Sequence, residues 1–112
     1  MDGERQIKMS VGKADAEEMA LFLKAIANPA RLRILSSLLD GERQVSDLEQ
    51  ELQLNQAYVS QQLARLRAAG IVEGNRCGRE VRYAIVDERT QPVIETLIRF
   101  QDALKNGRVD AS

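Results

Sequence analysis

The side chains best equipped for chemistry lie between Asn55 and Arg82, and their chemistry is recognition rather than bond-making. Gln56, Tyr58, Gln61, Gln62 and Arg65 recur at spacings that gather them on one side of a helix. A carboxamide can donate to and accept from an adenine edge at once, a guanidinium can fork onto guanine or phosphate, and a phenol can reach a thymine methyl or a phosphate. Ala57 and Ser60 stand between them in the sequence, and Asn55 precedes them as the cap. Just downstream, Arg76, Arg79 and Arg82 stand in and beside the segment Gly74-Asn75-Arg76-Cys77-Gly78-Arg79, whose glycines suit a hairpin tip. Any one of these residues is accounted for by a solvated face. A polar helix face followed directly by a basic hairpin predicts that one element enters a major groove while the other reaches flanking backbone.

Composition narrows the remaining chemistry. The 112 residues contain no histidine and one cysteine, Cys77. That removes the usual general base of nucleophilic hydrolases, any internal disulfide, and the ligand set of a zinc, copper or nickel site, so no metal and no cofactor is expected. The carboxylates fall at helix starts and on polar faces rather than paired in apolar surroundings, and no enzymatic function is expected. Net charge is −1, which by itself disfavours nucleic acid. Its distribution reverses that: residues 1–54 carry 7 basic and 10 acidic side chains (−3), residues 55–82 carry 5 and 2 (+3), and residues 83–112 carry 4 and 5 (−1). Positive charge collects where the recognition chemistry does. With 44% hydrophobic and 29% charged residues the composition is that of a soluble globular chain, and its apolar runs are too short for a bilayer. The polar, mixed-charge start MDGERQIKMS lacks the character of a secretory signal, so a cytoplasmic location is expected.

The elements that must position these residues follow from periodicity and caps. Residues 1–14 have no apolar period and are expected to be a flexible tail, as are residues 107–112. From Asp15, Met19, Phe22, Leu23 and Ile26 recur at helical spacing, predicting a first helix that ends near Asn28. Asn28-Pro29 then restarts a helix to about Leu39, with Leu32, Ile34, Leu35, Leu38 and Leu39 as its inward side and Asp40-Gly41 as its stop. Ser46 and Glu49 match a capping box for a third helix that turns inward Leu48 and Leu52. After Gln53-Leu54-Asn55 a fourth helix runs from Gln56 to about Ala69, with Val59, Leu63 and Leu66 inward and Gly70 as its stop. Ile71-Val72 and Val81, Tyr83 and Ile85 then read as two strands. A last helix is predicted from Pro92 to about Leu104. The expected fold is mainly α with a small β-hairpin, a winged helix-turn-helix in the order α-α-α-α-β-β-α over residues 15–106.

The segments LKAIANPARLRILSSLL, VSDLEQELQLNQAYVSQQLARLRAAGIV and GREVRYAI, in this order and spacing, resemble the ArsR/SmtB family of winged-helix transcriptional repressors, with about residues 15–105 covered. The resemblance implies a homodimer in which the first and last helices pack across a two-fold axis, so that two recognition helices meet an inverted-repeat operator on double-stranded DNA. Met19, Phe22, Leu23, Val93, Leu97, Phe100 and Leu104 are the apolar residues that would form that interface. Inducer release is a family trait, yet the residues that carry it differ here. Gln44 and Ser46 stand where metalloid-sensing relatives carry a cysteine pair, the last helix lacks histidine ligands, and Ser36 and the neighbourhood of Asp102 stand where another branch carries two thiols.

The signal is therefore expected to be non-metal: an organic ligand, oxidation of Cys77, or none. Cys77 beside Arg76 and Arg79 has the surroundings of a redox-reactive thiol, and an incidental exposed cysteine is the plain alternative. Arg31 and Arg33 are read as solvent or ion-pair residues. The competing functional reading is a winged-helix protein–protein interaction module that touches no DNA.

Overall fold

A computed structural model describes residues 10–107. The elements are α1 (Lys13–Ile26), α2 (Pro29–Leu38), β1 (Arg43–Gln44), α3 (Val45–Leu52), α4 (Gln56–Ala68), β2 (Val72–Cys77), β3 (Glu80–Ile85) and α5 (Thr90–Lys105). This is a winged helix-turn-helix: five helices with a three-stranded antiparallel sheet in the order β1-β3-β2. None of the described helices is long and apolar enough to cross a membrane.

One apolar cluster joins the elements. Ile34 and Leu35 of α2, Leu48 of α3, and Val59, Leu63 and Leu66 of α4 are fully buried, with Phe22 and Ile26 of α1, Ile71, Val72 and Ile94 closing around them. Each such side chain contributes about 1.5–3 kcal/mol of burial, so the helix-turn-helix is fastened to α2 chiefly by aliphatic packing. The helix ends are set by local chemistry. Asn28 Oδ1 accepts from the Arg31 amide at 3.0 Å, with Pro29 at the first helical position. At the end of α4 the Gly70 amide donates to the Arg67 carbonyl at 2.9 Å and the Ile71 amide to the Leu66 carbonyl at 3.0 Å. That is a Schellman closure, and the φ of +75° it imposes on Gly70 is one that a side chain disfavours.

Several expectations shift. α1 begins at Lys13, inside the expected tail; of the two expected tails, residues 1–9 and 108–112 lie outside the described residues. The capping box of α3 is offset by two residues: the Gln44 amide donates to Asp47 Oδ2 at 3.0 Å, because β1 runs straight into the helix and makes Gln44, not Ser46, the cap. β1 itself was not expected, being two polar residues long. The hairpin also extends further: the pair Cys77↔Glu80 leaves Gly78-Arg79 as a two-residue tip, so Asn75, Arg76 and Cys77 are strand residues. Gly74 lies opposite Tyr83, and a Cβ there would come within 3.0 Å of Tyr83 Cε1 and Val81 Cγ1; only a glycine lets that ring lie over the strand.

α1 is seated at its C-terminal half by Phe22 and Ile26. The Arg89 guanidinium lies 4.4 Å from the Phe22 ring centroid. Asp87 holds Arg89 in place, with its carboxylate accepting from Arg89 Nε at 3.1 Å, from Nη2 at 2.7 Å and from the Arg89 amide at 2.9 Å. The side-chain bond from Arg89, working against burial, keeps the Asp87 carboxyl below its ordinary range. A carboxyl lowered in the folded state stabilises fully above its unfolded pKa of about 3.9 and loses that contribution as pH falls through the lower folded value. Asp87→Asn, which keeps an oxygen for the Arg89 amide, should therefore be less stable than wild type by under about 1 kcal/mol near neutrality, since the pair is partly exposed. Urea denaturation should show that difference shrinking below roughly pH 4. A difference that persists unchanged into stronger acid would rule out the charge as its source.

Candidate nucleic-acid interface

α4 is bound on one side and bare on the other. Val59, Leu63 and Leu66 are completely buried, while Gln56, Ala57, Tyr58, Ser60, Gln61 and Arg65 are exposed along the helix. The helix starts cleanly because Asn55 Oδ1 accepts from the Tyr58 amide at 2.8 Å, so the Asn55 side-chain oxygen is occupied by capping. The turn before it requires Gln53 at φ +58°, a left-handed conformation, with the Leu54 amide donating to the Glu49 carbonyl at 3.2 Å. α3 and α4 thus meet through a short turn.

Gln62 departs from the expectation. It is only 4% exposed, and its Oε1 accepts from Arg31 Nη1 at 2.9 Å, so it faces α2 and not solvent. The spacing 59, 62, 63, 66 places it at the border of the buried arc, a signal its polarity masked. Arg31 differs from a solvent residue, being half-buried, while Arg33 is exposed and its Nη2 donates to the Leu52 carbonyl at 3.1 Å. The two arginines of α2 therefore reach both helices of the helix-turn-helix.

The wing arginines do not share a face. In an antiparallel pair directly opposed residues lie on one side of the ribbon. Gly74↔Tyr83 and Arg76↔Val81 lie on one side; Asn75↔Arg82 and Cys77↔Glu80 lie on the other. Arg76 and Arg82 consequently project from opposite faces, with exposed Arg79 at the tip. Arg82 is partly compensated, its Nη2 standing 3.5 Å from Glu80 Oε2. Glu80 Oε1 in turn accepts from Gln44 Nε2 at 2.9 Å, which ties the wing to β1 and the start of α3. Exposed Cys77 faces Glu80 across the strands, a carboxylate that the reading from Arg76 and Arg79 alone left out.

The other expected surface is divided. Met19, Leu23, Leu97, Phe100 and Leu104 are 42–53% exposed, and Leu21 and Ile98 beside them are 70% and 45% exposed. Phe22, in contrast, is buried in its own chain beneath Arg89, and Val93 packs half-buried against the core, because α1 and α5 each turn one side inward. Between α2 and α5 lies a cavity of about 540 Å³ lined by Leu32, Ser36, Ile94, Leu97, Ile98 and Asp102, among others. Ser36 and Asp102 thus border one space. Among the described residues no group of three His, Cys, Asp or Glu side chains is placed to hold a metal ion.

A helix-turn-helix with one polar helix face bare, followed by a basic wing, defines a DNA-binding regulator by its architecture. Comparison with known proteins narrows the class. Residues 28–74 match the family described as bacterial regulatory protein, arsR family. The chain is 37% identical to the biofilm growth-associated repressor of Agrobacterium fabrum over 82% of this chain and 79% of that protein. It is 32% identical to the HTH-type transcriptional regulator NmtR of Mycobacterium tuberculosis over 98% and 92%. Among solved structures, HlyU from Vibrio cholerae superposes with a TM-score of 0.75 at 36% identity, covering 80% of this chain and 97% of that one. The AntR antimony-specific transcriptional repressor reaches a TM-score of 0.82 at 30% identity, covering 90% and 92%. The chain belongs to the ArsR/SmtB family of transcriptional regulators, which are not enzymes.

Because Glu80 places a negative charge beside Arg82, Glu80→Gln should strengthen binding to random-sequence duplex DNA by about two- to fivefold at low salt, the scale of an exposed ion pair. Fluorescence anisotropy on a labelled duplex reads this directly. Unchanged or weaker binding would show that Arg82 takes no part in phosphate contact.

Proposed function

We propose that the protein is a homodimeric, sequence-specific repressor that binds an inverted-repeat operator and is released by a non-metal signal. The observation that carries the reading is the one-sidedness of α4: a fully buried aliphatic stripe opposite an exposed row of Gln56, Tyr58, Gln61 and Arg65, with Arg76, Arg79 and Arg82 on the adjoining wing. Gln56 and Gln61 serve as carboxamide readers of base edges, while the arginines neutralise phosphates. Asn55, Ala57 and Ser60 line the approach. Gln62, being buried, is withdrawn from the base-reading set.

Homodimerisation is supported by the apolar side chains that α1 and α5 leave uncovered, Met19, Leu21, Leu23, Leu97, Ile98, Phe100 and Leu104. Scattered exposed leucines are ordinary, but seven exposed large apolar side chains on just two helices, α1 and α5, are more than a solvated surface needs. A two-fold copy would also supply the second recognition helix that an inverted repeat demands. A regulator of the bacterial type would meet its DNA in the cytoplasm, and that location belongs to the same reading. For the signal, the absence of histidine and of a second thiol favours a non-metal species over metal ligation.

Binding to the duplex immediately upstream of the protein's own coding sequence should fall steeply with salt, with a log–log slope of about −4 or steeper if four or more arginines neutralise phosphates. Gln61→Ala should weaken that binding by about 1–3 kcal/mol while leaving binding to a shuffled duplex nearly unchanged. Equal loss on both duplexes would remove Gln61 from base reading, and salt-independent binding would favour a protein-interaction module instead. For the dimer, Phe100→Glu together with Leu97→Glu should shift the sedimentation coefficient from dimer to monomer without loss of helical circular dichroism. A wild-type chain that sediments as a monomer at tens of micromolar would overturn the dimeric assignment.

A further inference from the structure

We propose that Arg31 is a positioning residue for the recognition helix: through Gln62 it fixes the roll of α4 about its own axis, and so decides which base edges Tyr58, Gln61 and Arg65 can reach. The proposal rests on the DNA-reading role of α4 given above. Its basis is a buried polar bond inside an otherwise aliphatic seam. Val59, Leu63 and Leu66 hold α4 against the body, and packing of that kind sets distance far better than it sets rotation. A roll of about 20° moves a side-chain tip roughly 6 Å from the helix axis by about 2 Å, enough to break a bidentate contact.

Among the described residues, the one side-chain hydrogen bond between α2 and α4 along that seam is the 2.9 Å bond from Arg31 Nη1 to Gln62 Oε1. Arg31 Nε is buried and finds no acceptor among the described residues, so Gln62 is the acceptor on which the enclosed part of this guanidinium relies. A leucine at 62 would complete the apolar arc at 59, 62, 63 and 66 and would pack without needing a partner. The polar pair is therefore poorly explained by stability and well explained by register. The same helix fixes the other half of the motif, since Arg33 Nη2 donates to the Leu52 carbonyl just before the turn. α2 thus orients α3 at its end and α4 in its middle, each by a directional bond from an arginine.

The full chain is compared as wild type, Gln62→Leu, Gln62→Glu, Arg31→Lys and the double variant Arg31→Met with Gln62→Leu. Two duplexes serve as probes: the segment immediately upstream of the protein's own coding sequence and a shuffled duplex of equal length and composition. Gln62→Leu should lower the ratio of upstream to shuffled affinity about tenfold, while affinity for the shuffled duplex stays within about twofold. Gln62→Glu, which still offers Arg31 an acceptor, should keep the ratio within about threefold of wild type. The double variant should melt near the wild-type temperature yet show the lowered ratio, which a purely structural role would not produce. The proposal is overturned if Gln62→Leu keeps the wild-type ratio, if Gln62→Glu loses as much as Gln62→Leu, or if both duplexes lose affinity equally. Should any Arg31 variant fail to fold, the two Gln62 variants decide alone. A DNA-free readout separates this inference from the DNA reading itself: backbone amide shifts along Gln56–Ala68 should move in Gln62→Leu and return in Gln62→Glu. If the wild type does not tell the duplexes apart, the operator reading fails and those shifts decide the positioning role.

Discussion

A recognition helix has to be held firmly by one side while giving up every contact on the other, and that constraint shapes this fold. α4 meets it with three fully buried aliphatic residues at successive turns, Val59, Leu63 and Leu66. They pack beneath α2 and α3, whose own buried residues Ile34, Leu35 and Leu48 complete the seam. Burial on this side is what makes exposure on the other affordable, because a 13-residue helix with a polar face has little stability of its own. The Schellman closure at Gly70 then turns the chain at once into Ile71 and Val72, both buried, so the wing begins from a point fixed to the same core.

The wing is held at its root in a second way. β1 adds only two residues to the sheet, Arg43 opposite Tyr83 and Gln44 opposite Arg82, yet Gln44 is also the cap of α3 and the partner of Glu80. One residue therefore couples the first helix of the motif to the ribbon beyond the second. Ser37 Oγ donates to Glu51 Oε1 at 2.7 Å, and Arg43 Nε stands 3.9 Å from the same carboxylate, which carries the link back to α2. Helix-turn-helix and wing are consequently positioned relative to each other by side chains that lie off the exposed face of α4.

What was legible in the sequence is the part governed by local rules. Helix periods, the Asn28-Pro29 and Asn55 starts and the Gly70 stop depend on residues within one or two turns, and the helices lie within a few residues of where those signals put them. What was not legible depends on partners distant in sequence. β1 carries no period of its own and exists because β3 offers it an edge. Gln62 looked like a surface carboxamide because its partner, Arg31, is 31 residues away. Phe22 looked available to a second subunit until Arg89, far along the chain, covered its ring. The hairpin tip was placed too early because Asn75, Arg76 and Cys77 have turn-like composition, whereas pairing with β3 extends the strand through them.

The same distinction governs how charge should be counted. A total of −1 argues against a polyanion as partner, and the local excess between Asn55 and Arg82 argues for one, but both counts treat every guanidinium as equal. The structure does not. Arg31, Arg33 and Arg89 are committed to Gln62, the Leu52 carbonyl and Asp87, and Arg82 shares Glu80. The first three link one part of the fold to another, Arg31 half-buried and Arg33 and Arg89 from the surface. Arg65, Arg76 and Arg79 are exposed on α4 and the wing, and none of them has an ion-pair partner among the described residues. An acidic chain can thus carry a locally basic edge because its arginines are divided between those paired within the fold and those left exposed on α4 and the wing, and sequence position alone does not say which is which.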